Sequence, residues 1–343
     1  MTRERVVAFA PGRANLIGEH TDYNGGLSLP FAIAEGVTVR ARRRGDSVIE
    51  AVAADLGERD RFALDAPARA GGWRAFVRGT VAELRAAGLP VGGATLEITG
   101  SVPRGSGLSS SAALEVALAL ALLGLQGAED VDRLALARVC SRVENAWVGA
   151  QTGLLDQLAS LCGRAGHALC IDFTTLAIEP VALRTGDWTL VTVDSREPHA
   201  NAAGGYNARR AQCAEACELL GIEHLAAADR AAAQALPDVL RRRTLHVLDE
   251  DARVRATVAA LRDGDLATVG RLLDASHASL RDLYDASTDA VERTVDALRA
   301  GGAAGARMVG GGFGGHVLGL LPPGAAVPPE ATIVTPADGA RLL

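Results

Sequence analysis

Four stretches of this 343-residue chain hold residue types that could do chemistry. The first, Gly12-Arg13-Ala14-Asn15-Leu16-Ile17-Gly18-Glu19-His20-Thr21-Asp22-Tyr23-Asn24-Gly25-Gly26, sets Arg, Glu, His and Asp within ten positions. Closely spaced carboxylates accept hydrogen bonds from sugar hydroxyls, and Arg13 could neutralise a developing negative charge. A solvated loop could hold the same residues, though more rarely with so many glycines. The second, Pro103-Arg104-Gly105-Ser106-Gly107-Leu108-Ser109-Ser110-Ser111, leads from a strand pattern into a strongly helix-forming run. Glycines let backbone approach a ligand, and a helix N-terminus offers unpaired N–H groups and a positive dipole end, so an anion such as phosphate suits it. A helix cap needs one serine; three in a row add hydroxyls for phosphate oxygens or a metal. The alternative is a capped helix after a flexible turn.

In the third stretch, Gln151 to Gln157, Asp156 follows a glycine turn inside apolar sequence, with Glu144 twelve residues earlier on an expected helix. A buried carboxylate needs a partner cation or a catalytic role, unless it only caps a helix. The fourth, Gly310 to Gly315, is a glycine cluster in strand context, explained either by a turn or by close approach to a ligand.

The elements that must hold these residues can be read from periodicity. The first 40 residues predict strand, loop, strand: VVAFA, then the polar insertion, then GVTVRARR with its period of two. A helix is expected over 73–88, a strand in ATLEITGSVP closed by Pro103, and a helix from Ser109 to Leu123. Residues 131–149 read as helix, Gly153 to Gly163 as a turn and apolar helix, and Trp188 to Val193 as a strand ending at Asp194. From Asn207 to Ala300 the pattern is mostly helical, and ARMVGGGFGGHVLGLLP gives two short strands around the glycines. The whole predicts two α+β domains with a boundary between residues 165 and 180, and no internal repeat.

Composition narrows the function classes. Hydrophobic residues make up 48% of the chain, enough for two cores, and the net charge of -6 with 3% aromatics argues against a nucleic-acid partner. All 35 basic residues are arginine, so Schiff-base chemistry and a lysine-bearing Walker loop are excluded. No run of about 18 apolar residues and no signal-peptide pattern is present, from which a cytoplasmic protein without a membrane partner is expected. The five cysteines include no C-x-x-C pair; Cys213 and Cys217, four apart, are expected as packed thiols, with no disulfide and no structural zinc. The triple arginines 42–44 and 241–243 are expected as solvated faces.

Taken together, the motifs carry a resemblance. GRANLIGEHTDYNGG resembles the galactokinase signature, SVPRGSGLSSSAALEVA is similar to the phosphate loop of the GHMP small-molecule kinases, and RMVGGGFGGHV is similar to that superfamily's third motif, in family order. GLLDQLAS, YNARRAQC and ASHASLRDLYDAS extend the likeness over residues 7–320. Departures are Arg104 and Ser106, Phe76 in place of a common Tyr, and His316.

The resemblance implies a two-domain GHMP kinase fold: a ribosomal-S5-like α/β domain with a left-handed crossover over residues 1–175 and an α+β domain over 176–343. It implies ATP, Mg²⁺ and phosphorylation of the anomeric hydroxyl of D-galactose by a monomer. Asp156 would take the proton from that hydroxyl with Arg13 beside it. Gly105, Ser106, Gly107, Leu108, Ser109, Ser110 and Ser111 would hold the phosphates, and Ser111 and Glu144 the metal. Glu19, His20, Asp22, Gly153 and Tyr206 would meet the sugar, and Trp73 and Phe76 would flank the adenine. A kinase of galactosamine, arabinose or galacturonate, and a sensor that binds without chemistry, are the competing expectations. The intact Ser110-Ser111-Ala112, Arg13 and Asp156 speak against the sensor.

Overall fold

The computed structural model describes residues 2–102, 107–128, 130–197 and 202–343, the side chains of residues 202 and 203 excepted. Two sheets dominate. The first joins β1 (Arg5–Asn15), β3 (Pro30–Arg43), β4 (Val48–Ala53), β5 (Glu58–Ala63), β6 (Ala94–Gly100) and β13 (Arg341–Leu342) in the order β13-β1-β3-β6-β4-β5. Four helices belong with it: α1 (Trp73–Ala86), α2 (Ser110–Leu125), α3 (Arg133–Val143) and α4 (Leu155–Cys162). The second orders β10 (Gly305–Met308), β11 (His316–Leu321), β9 (Thr189–Asp194) and β12 (Thr332–Ile333) as β10-β11-β9-β12. Its helices are α5 (Ala202–Leu220), α6 (Arg230–Gln234), α7 (Asp238–Asp263), α8 (Leu266–Asp282) and α9 (Asp289–Ala300). A small sheet of β2 (Leu27–Ser28), β7 (His167–Asp172) and β8 (Ala177–Ala182) lies beside them.

The centre of the first layer is α2. Its run of Ala, Leu and Val is apolar on all faces, as a helix packed on β1, β3, α1, α3 and α4 must be. Leu118 and Leu122 are both fully buried, so truncating either to alanine would cost about 2–5 kcal/mol. The second core gathers Val191, Val193, Val247, Leu280, Val291 and Val317 between the second sheet and its helices.

Several expectations need correction. Strand β1 runs on through Pro11 to Asn15, past the VVAFA expected to be strand. The expected helix over 131–149 ends as an α-helix at Val143 and continues as a π turn, Glu144–Val148, closed by Gly149 N–H donating to Glu144 O at 2.9 Å. The hairpins β4–β5 and β7–β8 were not anticipated, and β13 returns from the far end of the chain to the first sheet. Arg243 is not solvated: it is buried, donates Nε to Gln212 Oε1 at 2.8 Å and pairs through Nη2 with Asp285 Oδ2 at 2.6 Å. Cys213 is buried, Cys217 is half-buried, and both are free thiols.

Candidate active site

Strand β1 delivers Arg13 through a break in its ladder. Pairing with β3 is regular up to Pro11 opposite Gly36 and resumes with Arg13 opposite Ala32, an irregularity that re-aims the side chain. Glycine is required at position 12, because a Cβ there would sit 2.5 Å from Leu108 O. Arg13 N–H donates to Leu108 O at 3.1 Å, on the side away from its β3 partner Ala32. Its guanidinium donates Nη1 to Gly107 O at 2.5 Å and places Nη2 2.7 Å from Asp156 Oδ1. Arg13 is 5% exposed and held at both ends of its guanidinium, whereas the Asp156 side chain keeps 21% of its surface open to the cavity.

The loop before α2 does not cap the helix in the ordinary way. Ser109 occupies the N-cap position with φ 58°, left-handed for a residue with a side chain, and makes no side-chain cap. Its hydroxyl instead donates to Asp156 Oδ2, so the N–H groups opening α2 receive no side-chain acceptor from it. Of the three serines, Ser109 is thus tied to Asp156 and Ser111 donates to Glu144 Oε1 at 2.6 Å. Ser110 faces a second cavity. Gly105 and Ser106 lie outside the described residues.

Asp156 enters in the first turn of α4, and Glu144 is the first residue of the π turn, a distortion common at functional sites. Glu144 Oε2 accepts from Thr152 Oγ1 at 2.8 Å and Gln157 Nε2 at 2.9 Å. Burial, and then the charge of Asp156, push the Glu144 carboxyl above its ordinary range, while its three neutral donors pull it back. Glu115, fully buried one helical turn after Ser111, is driven up further by burial and by Glu144. Three carboxyl groups therefore converge near one arginine, and among the described residues Glu144 has no cationic partner.

Across from Asp156 lie the residues of the first motif. Glu19 Oε1 accepts from Gly310 N–H at 2.7 Å, with Arg307 Nη2 3.4 Å away. Burial raises its pKa, while Arg307 and Arg13 oppose the rise. Asp22 is raised to about 7, by burial first and then by Asp156 and Glu19. Gly153 has to be glycine here, since a Cβ would lie 2.0 Å from Asp22 Oδ2. His20 and the Tyr206 ring of α5 complete the wall. The glycine cluster is a close approach as well as a turn: a Cβ on Gly311 would meet the Tyr206 ring at 2.8 Å.

These side chains line one cavity of about 370 Å³ containing Arg13, Glu19, His20, Asp22, Glu144, Asp156 and Tyr206. A neighbouring cavity of about 590 Å³ is walled by Val37, Leu56, Trp73, Phe76, Ile98 and Leu114, with Asp55, Glu58 and Arg74 also in its lining. Phe76 and Ser111 belong to both. The five expected sugar residues and the pair Arg13–Asp156 share the first cavity; Trp73, Phe76, Ser110 and Ser111 share the second. Trp73 fixes its indole by donating Nε1 to Glu58 Oε2 at 2.8 Å.

The profile described as the galactokinase galactose-binding signature matches residues 2–43, and those of the GHMP kinase N-terminal and C-terminal domains match 75–164 and 257–328. A galactokinase of Streptomyces coelicolor is 43% identical over 91% of this chain and 83% of that protein. The chain belongs to the galactokinase family. A galactokinase of Mycobacterium tuberculosis strain H37Rv is 44% identical, covering 91% of this chain and 88% of its own. The crystal structure of Lactococcus lactis galactokinase complexed with galactose superposes with a TM-score of 0.91 at 32% identity, over 99% of this chain and 95% of that one. A mevalonate kinase, 18% identical with a TM-score of 0.65 over 92% and 91% of the two chains, shares the fold. The galactokinase-family architecture is therefore the two-domain GHMP kinase fold expected from the motifs.

Sequence reading missed several residues of this site. Arg307 is the largest fully buried side chain among the described residues; it donates Nη1 to Asn15 O at 2.8 Å and to Leu16 O at 3.2 Å, tying β10 to the first motif. The signal available was a lone charge in an otherwise apolar strand. Glu115 and Thr152 were also missed, because a single acid or hydroxyl in a helix-forming or glycine-turn run looks like a surface residue.

Proposed function

We propose that the protein transfers the γ-phosphoryl group of ATP to the anomeric hydroxyl of D-galactose. The observation that carries this is the Arg13–Asp156 pair in a cavity lined by Glu19, His20, Asp22 and Tyr206, which adjoins, through Phe76 and Ser111, a second cavity walled by Trp73 and Ile98 that would take a purine. Asp156, held by Arg13 and Ser109, accepts the hydroxyl proton. The sugar oxygen then attacks the γ-phosphorus, and the bond to the β-phosphate oxygen breaks to leave ADP. Arg13 stays beside both the forming alkoxide and the transferring group, so positioning and charge neutralisation do most of the work without any lysine. The open N-terminus of α2 takes the phosphates.

Ser111 and Glu144 fit a magnesium ion: a buried carboxylate with neutral donors only, beside a second and third carboxyl, is a site short of positive charge. Two protein ligands suffice when phosphates and water complete the shell, and bound Mg²⁺ would neutralise charge on the phosphates. Among the described residues no helix is long and apolar enough to cross a membrane.

The test is sugar-dependent ADP release with galactose, glucose, galactosamine, arabinose and galacturonate. Galactose should lead. Glucose should be very poor, by up to about 10⁴, because Asp22 and Tyr206 lose a partner when the C4 hydroxyl is equatorial. Asp156→Asn should bind ATP and lose roughly 10²–10⁴ in turnover, the usual worth of a positioned base. More than about a third of wild-type turnover in that variant would remove Asp156 from the role.

A further inference from the structure

The chain has three tyrosines, and all three converge on His20. The ring centroid of His20 lies 5.9 Å from that of Tyr23, 5.2 Å from Tyr206 and 4.6 Å from Tyr284. Three of these side chains and a thiol form a continuous chain of polar contacts. His20 Nδ1 is 2.9 Å from Tyr23 Oη, which is 2.9 Å from Tyr284 Oη, which is 3.1 Å from Cys213 Sγ. Asn24 Nδ2, a donor only, points at Cys213 Sγ from 3.6 Å. The other ring nitrogen, His20 Nε2, is buried and makes no hydrogen bond of good geometry among the described residues, the Gly311 backbone beside the ring favours a ring N–H, and His20 lines the cavity. His20 itself has φ 62°, a conformation costly for a side-chain-bearing residue, so the surroundings must hold it there.

A chain of this kind can run in only two directions. In one, Cys213 S–H donates to Tyr284, Tyr284 to Tyr23, and Tyr23 to His20 Nδ1, which leaves the ring proton on Nε2. In the other, His20 Nδ1–H donates to Tyr23, Tyr23 to Tyr284, and Tyr284 to sulfur, which leaves the thiol proton with nothing to bond. Sulfur is a weak acceptor, so the second direction also spends a buried phenol proton on a poor partner. The first direction gives every phenol proton an oxygen or nitrogen, and Asn24 already supplies the sulfur with a donor.

We infer that the Cys213–Tyr284–Tyr23 relay fixes His20 as the Nε2–H tautomer, so that the imidazole presents a hydrogen-bond donor to a sugar hydroxyl. The proposal rests on the reading of His20 as a sugar contact. Tyr284 and Cys213 are then positioning residues of the sugar site, acting through His20 from the far side of the ring. Since Asp22 and Glu19 present acceptors to the same cavity, a donor at Nε2 makes the wall able to bond both lone pairs and protons of a hydroxyl.

The test is ¹⁵N NMR of histidine-labelled protein, the His20 resonances assigned through His20→Asn. The wild type should show His20 neutral with the proton on Nε2. Tyr284→Phe keeps the ring and breaks the relay, so both tautomers should appear. Cys213→Ser alone keeps a donor at the head of the relay and should retain the wild-type pattern. An Nδ1–H tautomer in the wild type, or an unchanged tautomer in Tyr284→Phe, would overturn the inference. In kinetics, Tyr284→Phe should raise the galactose KM about 3–10-fold, the worth of one hydrogen bond, with kcat and the ATP KM within about twofold. That rise should vanish against the one monodeoxygalactose that lacks the hydroxyl met by His20. An equal rise for every deoxy sugar would mean a merely structural role. If His20→Asn left the galactose KM unchanged while the tautomer results held, the relay would stand and the sugar reading of His20 would fall.

Discussion

Asp22 carries the clearest pH signature of the site. Its pKa is raised from 3.8 to about 7, by burial first and by the charges of Asp156 and Glu19 next. Between those two values the folded protein holds a proton that the unfolded chain has lost, so this group makes stability fall as pH rises. Asp22→Asn removes the titration: relative to wild type, the variant should be unchanged near about pH 4 and more stable by roughly 1–3 kcal/mol near pH 8. Denaturant unfolding at the two pH values checks this, and a constant difference would remove Asp22 as the titrating group. Function should move oppositely under the proposal that Asp22 meets galactose as an ionised acceptor: kcat/KM for galactose should decline as pH falls through about 7. Gly153 belongs to the same residue-scale logic. A methyl at that position meets Asp22 Oδ2, so Gly153→Ala should displace the carboxylate and raise the galactose KM while the ATP KM holds.

At the scale of elements, the site depends on interruptions of regular structure. The break in β1 at Gly12, the left-handed Ser109 before α2, and the π turn at Glu144 each turn a chemical group inward. Arg13→Lys should therefore cost turnover more than nucleotide binding, because a lysine ammonium cannot hold the Gly107 carbonyl and the Asp156 carboxylate in one plane. Steady-state kinetics showing unchanged kcat would reduce Arg13 to a loop clamp. These interruptions also set what could be read beforehand. The α2 helix and the β9 and β11 strands were legible because long periodic runs override local detail. The extension of β1 was not, since Pro11 and Gly12 look like a strand end. The short hairpin strands β7 and β8 were missed because their pairing is decided by tertiary contact with β2 and α7 rather than by their own pattern. The motif residues were legible as a group, yet the partners that hold them, Arg307 from β10 and Thr152 beside Gly153, come from other segments and leave no local mark.

The whole molecule brings the two halves of the chain to one cavity. Arg13, Glu19, Asp22 and Asp156 come from the first half, Tyr206 and Gly311 from the second, and Arg307 crosses between them to the carbonyls of Asn15 and Leu16. A sugar bound there bridges both, so galactose should raise the midpoint of thermal unfolding, by an amount corresponding to about 2.7 kcal/mol at a hundredfold excess over Kd. Asp22→Ala should abolish most of that shift, and a full shift in the variant would place the sugar elsewhere. Under the proposed function, the Arg13–Asp156 pair directs phosphoryl transfer to the anomeric oxygen of galactose. ³¹P and ¹H NMR of the product formed from ATP and galactose measures this directly. The product should be a single phosphomonoester coupled to the anomeric proton, formed with one ADP per sugar. Phosphate on any other hydroxyl, or ADP released without a sugar phosphate, would contradict it.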